Sequence, residues 1–156
     1  MWIKISSQTS RRKWDMSKEE TIIKGIPPNL DAIQERFTAT KGNLRVIYTY
    51  YPHIYVQVEA ILPDDLMVHE ATHLAQQEMH LPALWWDRYL KDDEFLLEQE
   101  IQAYGNQLAY ALLIGPRARA DRLKDQLASD LASDVYGKII SFTKAETAIR
   151  YYAKTV

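Results

Sequence analysis

Residues 68–80, VHEATHLAQQEMH, hold three of the chain's four histidines, and their spacing constrains the local backbone. Successive residues on an α-helix are turned by about 100°, so positions i and i+4 lie about 40° apart on one face, one turn along. A helix here sets the imidazoles of His69 and His73 side by side, where both can reach one ion. Glu70 is rotated away from that axis, where it can reach a water on the ion and take its proton. The four positions form the pattern HExxH.

The rest of the composition limits what such an ion could be held by. The chain has 156 residues, enough for one domain with a single ordinary core, and no cysteine. Disulfides, thiolate metal sites and thiol nucleophiles are therefore excluded, and any metal must take nitrogen and oxygen ligands. A net charge of -2 gives no bulk attraction to nucleic acid or to an anionic membrane. No apolar run approaches the length of a membrane span. The opening MWIKISSQTSRRKW turns polar after five residues and lacks a signal-peptide core, which predicts a soluble, cytoplasmic protein. Residues 1–18 read as a polar, basic lead-in carrying Arg11, Arg12 and Lys13, and residues 19–156 as one domain.

Along that domain, residues 20–26 read as a short strand and residues 29–41 as a helix. Residues 43–51 and 53–62 read as two strands either side of Pro52. In the second, Ile54, Val56, Val58 and Ala60 share one face and Tyr55, Gln57 and Glu59 the other. Asp64 is placed to cap the HExxH helix. Residues 81–91 read as an aromatic-rich connector. Residues 92–116 then form a long helix with acidic residues at its start and Gly115-Pro116 at its stop. Residues 117–137 and 143–154 make two more. The expected fold class is α+β, a small antiparallel sheet packed on a helical bundle.

Helical wheels locate a third ligand. In the HExxH helix, Val68, Ala71, Leu74, Ala75 and Met79 form an apolar arc, expected to pack on the sheet, with His69, His73, Gln76 and His80 opposite. On the long helix the apolar arc contains Leu96, Leu97, Tyr104, Leu108 and Ala111, and Glu100 falls inside it. Glu94 and Glu98 fall on or past its edge. A carboxylate on a buried face costs several kcal/mol unless it is paired or bound to a metal. Two neutral imidazoles offer it no cation, whereas an ion between the helices would. Glu100 is the expected third ligand, with Glu98 the next choice.

HEATH at 69–73, followed by EIQAY at 100–104, resembles the minimal gluzincin metallopeptidases, small proteins often encoded by bacteria and their phages. The resemblance covers roughly residues 43–115. It implies a zincin-like fold, with His69, His73 and Glu100 as zinc ligands and Glu70 as the general base. It also implies that the strand before the HExxH helix can serve as a cleft edge that pairs with an extended substrate. Tyr104 stands where many relatives have an Asp that hydrogen-bonds a ligand histidine. Tyr104 and His80 are candidates for supporting a ligand or stabilising an oxyanion, and Tyr89, Tyr110 and Tyr136 are further hydroxyls among which sequence does not choose. Trp85-Trp86 could form a lip of the site or belong to the core.

The resulting expectation is a zinc-dependent peptidase acting on a peptide or protein substrate. The alternative is a zinc-stabilised structural or virion-associated scaffold without turnover. A nucleic-acid accessory role resting on residues 11–13 is weaker, because the rest of the chain is not basic.

Overall fold

The computed structural model describes residues 21–59 and 61–156; the expected lead-in at 1–18, and Ala60, lie outside them. Strand β1 (Ile22–Lys24) leads into helix α1 (Leu30–Arg36) and a 3-10 turn (Thr38–Thr40). A hairpin follows, β2 (Tyr48–Tyr50) and β3 (His53–Val56). The remainder is helical: α2 (Asp64–Met79), α3 (Pro82–Lys91), α4 (Asp93–Ile114), α5 (Arg117–Leu131), a 3-10 turn (Asp134–Tyr136) and α6 (Phe142–Thr155). The α+β class stands. No helix among the described residues is long and apolar enough to cross a membrane.

The sheet differs from expectation. Its order is β1-β3-β2, with β2 and β3 antiparallel but β1 parallel to β3. The segment through α1 acts as a crossover and returns the chain to the far side, which makes the sheet mixed. β3 is thus the middle strand, paired on both sides at Ile54 and Tyr55, where it cannot be a cleft edge. Both strands of the hairpin are shorter than the alternation suggested, although Ile54 and Val56 are buried as predicted.

Residues 81–91 are a helix rather than a connector. Pro82 sits at its first positions, where the missing N–H costs nothing. Trp85, Trp86 and Tyr89 then fall on one buried face. Asp92 ends that helix and caps the next, accepting from the backbone N–H groups of Glu94 and Phe95 at 3.1 Å each. Pro63, not Asp64, is the capping position of α2; Asp64 and Asp65 occupy its first turn, where carboxylates favour the helix dipole. α5 stops at Leu131, short of the predicted 137, because Ser133 caps a separate 3-10 turn that Gly137 closes at φ 77°.

Two apolar clusters result. One joins α4, α5 and α6 through Leu108, Leu127, Leu131 and Ile149; the other joins α1, β2, α3 and the start of α4 through Ile33, Phe37, Trp85, Tyr89 and Leu96. α4 belongs to both. Its one interior glycine, Gly105, lies against Tyr152 of α6, where an added Cβ would sit 2.3 Å from the ring. That close approach explains a residue that otherwise weakens a helix by about 1 kcal/mol.

The face that α2 buries is the reverse of the one its hydrophobicity suggested. Val68 is buried, but Ala71 and Leu74 are only half-buried, Ala75 is exposed, and Met79 is 82% exposed. Asp65, His69, Glu70, Thr72, His73, Gln76 and Gln77 are buried instead. These polar groups find partners on α4 and β2. Gln76 bonds Gln99 and Gln102, Gln107 bonds Asp65, Asn106 bonds Thr72, and Gln77 bonds the Thr49 carbonyl. Buried polar groups satisfied by one another no longer oppose burial, so partnering outweighs the apolar arc.

Candidate metal centre

The seam between α2 and α4 brings His69, His73 and Glu100 together. They are 4%, 6% and 2% exposed. The helical spacing does the first half of the work: His69 Nε2 and His73 Nε2 face each other at 3.1 Å. α4 supplies the rest, with Glu100 Oε1 3.2 Å from His73 Nε2 and Oε2 3.6 Å from His69 Nε2. Glu98, two residues earlier, is exposed and takes no part.

These separations suit a cation. Bonds of about 2.0–2.1 Å in a tetrahedron put neighbouring ligands about 3.3–3.4 Å apart, and the three spacings bracket that value. With one donor atom from each residue, the group lies within 4.8 Å, so it could hold a metal ion. The tautomers point the same way. Gln76 Nε2 donates to the Gln99 carbonyl and to Gln102 Oε1, which turns its own Oε1 to His73 Nδ1 at 2.8 Å. Nδ1 therefore carries a proton, so the ring, once neutral, has its lone pair at Nε2, aimed at the cluster.

Without an ion the cluster keeps a proton. Desolvation opposes charge on His73, but the Glu100 carboxylate and then Glu70 outweigh it and hold its pKa at about 9. Desolvation, followed by the neighbouring His73, drives His69 down to about 3, so that ring stays neutral. Burial would raise Glu100, yet His73, with its charge and hydrogen bond, brings it to about 2. The cluster is an anionic carboxylate with one shared proton that a cation can replace.

Two tyrosines fix Glu100. The Tyr89 hydroxyl donates to Oε1 at 2.6 Å and that of Tyr136 to Oε2 at 3.0 Å. Tyr104 does not bond a histidine through its hydroxyl. Its ring packs edge-on against His69 at 4.4 Å, and its hydroxyl meets that of Tyr136 at 3.0 Å. Since Tyr136 donates to Glu100, Tyr104 donates to Tyr136, and the chain of hydroxyls ends on the carboxylate. Burial, reinforced by Glu100, keeps all three phenols well above their usual pKa and hence donating.

Glu70 faces the same cavity, of about 90 Å³, as the three cluster residues. Thr49 Oγ1 on β2 donates to its Oε2 at 2.6 Å. Burial raises its pKa to about 7, against the lowering effect of His73 and Thr49. The rest of the cavity wall is mostly aromatic and aliphatic, including Phe37, Tyr48, Trp86 and Val135, with Thr40 and Gln77 among them. Trp85 and Trp86 are core residues that also line it. Trp85 packs on His73 at 5.8 Å, and the Trp86 indole N–H donates to the Thr49 carbonyl at 3.2 Å.

His80 is exposed at the end of α2 and is not among the residues lining the cavity. Thr49 carries no sequence signal, since what matters is the helix it faces; Gln107 lies beside Glu100 on the wheel of the long helix, which points to burial but not to a partner. Gln76 did carry one, lying three residues beyond His73 on the same face. Comparison with protein-family models, curated proteins and solved structures finds no match to this chain. The site's chemistry must therefore be read from its own residues.

Proposed function

We propose that this protein is a zinc-dependent peptidase, with His69, His73 and Glu100 as ligands and Glu70 as general base. One observation carries the reading: a carboxylate with its pKa near neutrality shares a cavity with three convergent nitrogen and oxygen donors. Two imidazoles and a carboxylate, with no thiolate, are a ligand set of catalytic zinc sites. The resemblance of HEATH and EIQAY to gluzincins supports the substrate class.

Bound zinc would supply a Lewis acid that acidifies water and polarises a carbonyl. The chain's own residues do the remainder. Thr49 holds Glu70 Oε2, leaving Oε1 to take a proton from the attacking water and deliver it to the leaving nitrogen. A base with pKa about 7 is matched to that double role, being strong enough to accept and weak enough to return the proton. Tyr89 and Tyr136 hold the Glu100 carboxylate in place. Trp85, Trp86 and Phe37 limit water around it.

The burial of all four residues favours a second reading, a zinc-stabilised scaffold without turnover. A mixed pool of fluorogenic peptides separates the two. A peptidase yields new termini by mass spectrometry that disappear with chelator and return with zinc. A scaffold binds zinc and cuts nothing.

A further inference from the structure

A histidine that offers Nε2 to an ion must place its Nδ1 proton on another acceptor, and that acceptor sets the ring's tautomer and orientation. His73 has Gln76. For His69 the corresponding atom, Nδ1, is buried without a hydrogen-bond partner, and the same is true of Gln107 Oε1. Gln107 is nevertheless a close enough neighbour to act on His69.

The orientation of Gln107 is not free. Its Nε2 donates to Asp65 Oδ2 at 3.0 Å, and an ionised carboxylate only accepts, so the amide cannot be reversed without loss. Arg119 reaches Asp65 Oδ1 at 3.5 Å from α5. Asp65 and His69 are one turn apart on α2, and Gln107 lies across the seam on α4. The three side chains thus lie together between the two ligand-bearing helices, with the Gln107–Asp65 bond made.

We propose that Gln107 is a positioning residue for the metal centre. Its Oε1 accepts the Nδ1 proton of His69, and Asp65, backed by Arg119, fixes the amide for that task. The proposal rests on His69 being a ligand. Both ligand histidines are then held by amide carbonyls, and the Asp65 carboxylate is kept one side chain away from Nδ1 of His69. A carboxylate directly on Nδ1 would draw the proton and add negative charge to the centre; an amide orients the ring and leaves it a neutral imidazole.

The test uses the full chain with zinc alone as ligand. In the metal-free wild type, the Nδ1 proton of His69 should give a slowly exchanging NMR resonance, shifted by hydrogen bonding, and Gln107→Leu should abolish it. Competition against a chelator should show zinc affinity down about 10- to 100-fold in Gln107→Leu. The exchanged pair Gln107→Glu with Asp65→Asn keeps one acceptor towards His69 and one donor between the two side chains. It should recover most of that loss, which a purely structural defect would not allow. An unchanged resonance and affinity in Gln107→Leu, or no recovery in the exchanged pair, overturns the proposal. A wild type that binds no zinc overturns the metal reading instead, and the metal-free resonance still judges the relay.

Discussion

Replacing Glu70 by Gln is expected to leave zinc bound, remove hydrolysis and make the metal-free protein more stable. Turnover should fall by at least about 10²–10⁴-fold, the usual contribution of a positioned general base. Zinc should stay, because its three ligands are untouched, and Thr49 Oγ1 can donate to an amide oxygen as it does to Oε2. The stability gain follows from burial. Desolvation raises the Glu70 pKa from 4.5 to about 7, so the fold favours the protonated form. For a group raised on folding, the stabilisation is complete below the unfolded pKa and is lost as pH rises through the folded one. Wild type should therefore weaken between about pH 4.5 and 7, and the neutral Gln should not. Above pH 7 the variant's advantage is on the order of a few kcal/mol, at about 1.4 kcal/mol per pKa unit. Thermal melts of both metal-free proteins across this window measure it. A difference that does not change with pH shows that Glu70 does not titrate there. Equal turnover in both proteins hands the activity to a contaminant and favours the scaffold.

The second large effect is a proton released by the metal. At pH 8 Glu70 is already ionised, His69 is neutral, and His73 still holds its proton. Zinc must displace that proton, so binding should release about one per chain at pH 8. Affinity should rise about tenfold per pH unit towards pH 9. The stability consequence differs between the two forms. The His73 pKa is raised from 6.5 to about 9, so its contribution to the metal-free fold is complete below 6.5 and lost by about 9. At a fixed free zinc concentration the loaded protein should instead hold steady through that window as far as His73 is concerned, because tighter binding to the folded state offsets the loss. Calorimetric titration in two buffers of different ionisation enthalpy counts the proton. Binding with none released at pH 8 would show that His73 holds no displaceable proton there.

The His69, His73 and Glu100 cluster was more legible in the sequence than the packing around it. Helical spacing alone placed His69 beside His73, and a single wheel placed Glu100 on the buried arc of α4 between Gln107 and Ala111. Both inferences need only the period of one helix. The buried face of α2 was not accessible in that way. Hydropathy scores Gln76, Gln77 and Asp65 one at a time, whereas their burial depends on partners 23 to 42 residues away. The parallel pairing of β1 with β3 was hidden for the same reason, since alternation reveals a strand but not its neighbour. Helix α3 was a different kind of miss: Pro82 at its start and the one-sided aromatics after it were present in the sequence, and the density of Trp and Tyr masked them. Among the tyrosines, Tyr89 and Tyr136 separate from Tyr104 only when the three-dimensional path to Glu100 is known.

Metal content tests the central claim most directly. Purified wild type, loaded with zinc, dialysed and analysed by atomic emission and native mass spectrometry, should carry one zinc per chain, and His73→Ala should carry none. Fully folded wild type that holds no metal after loading would contradict it.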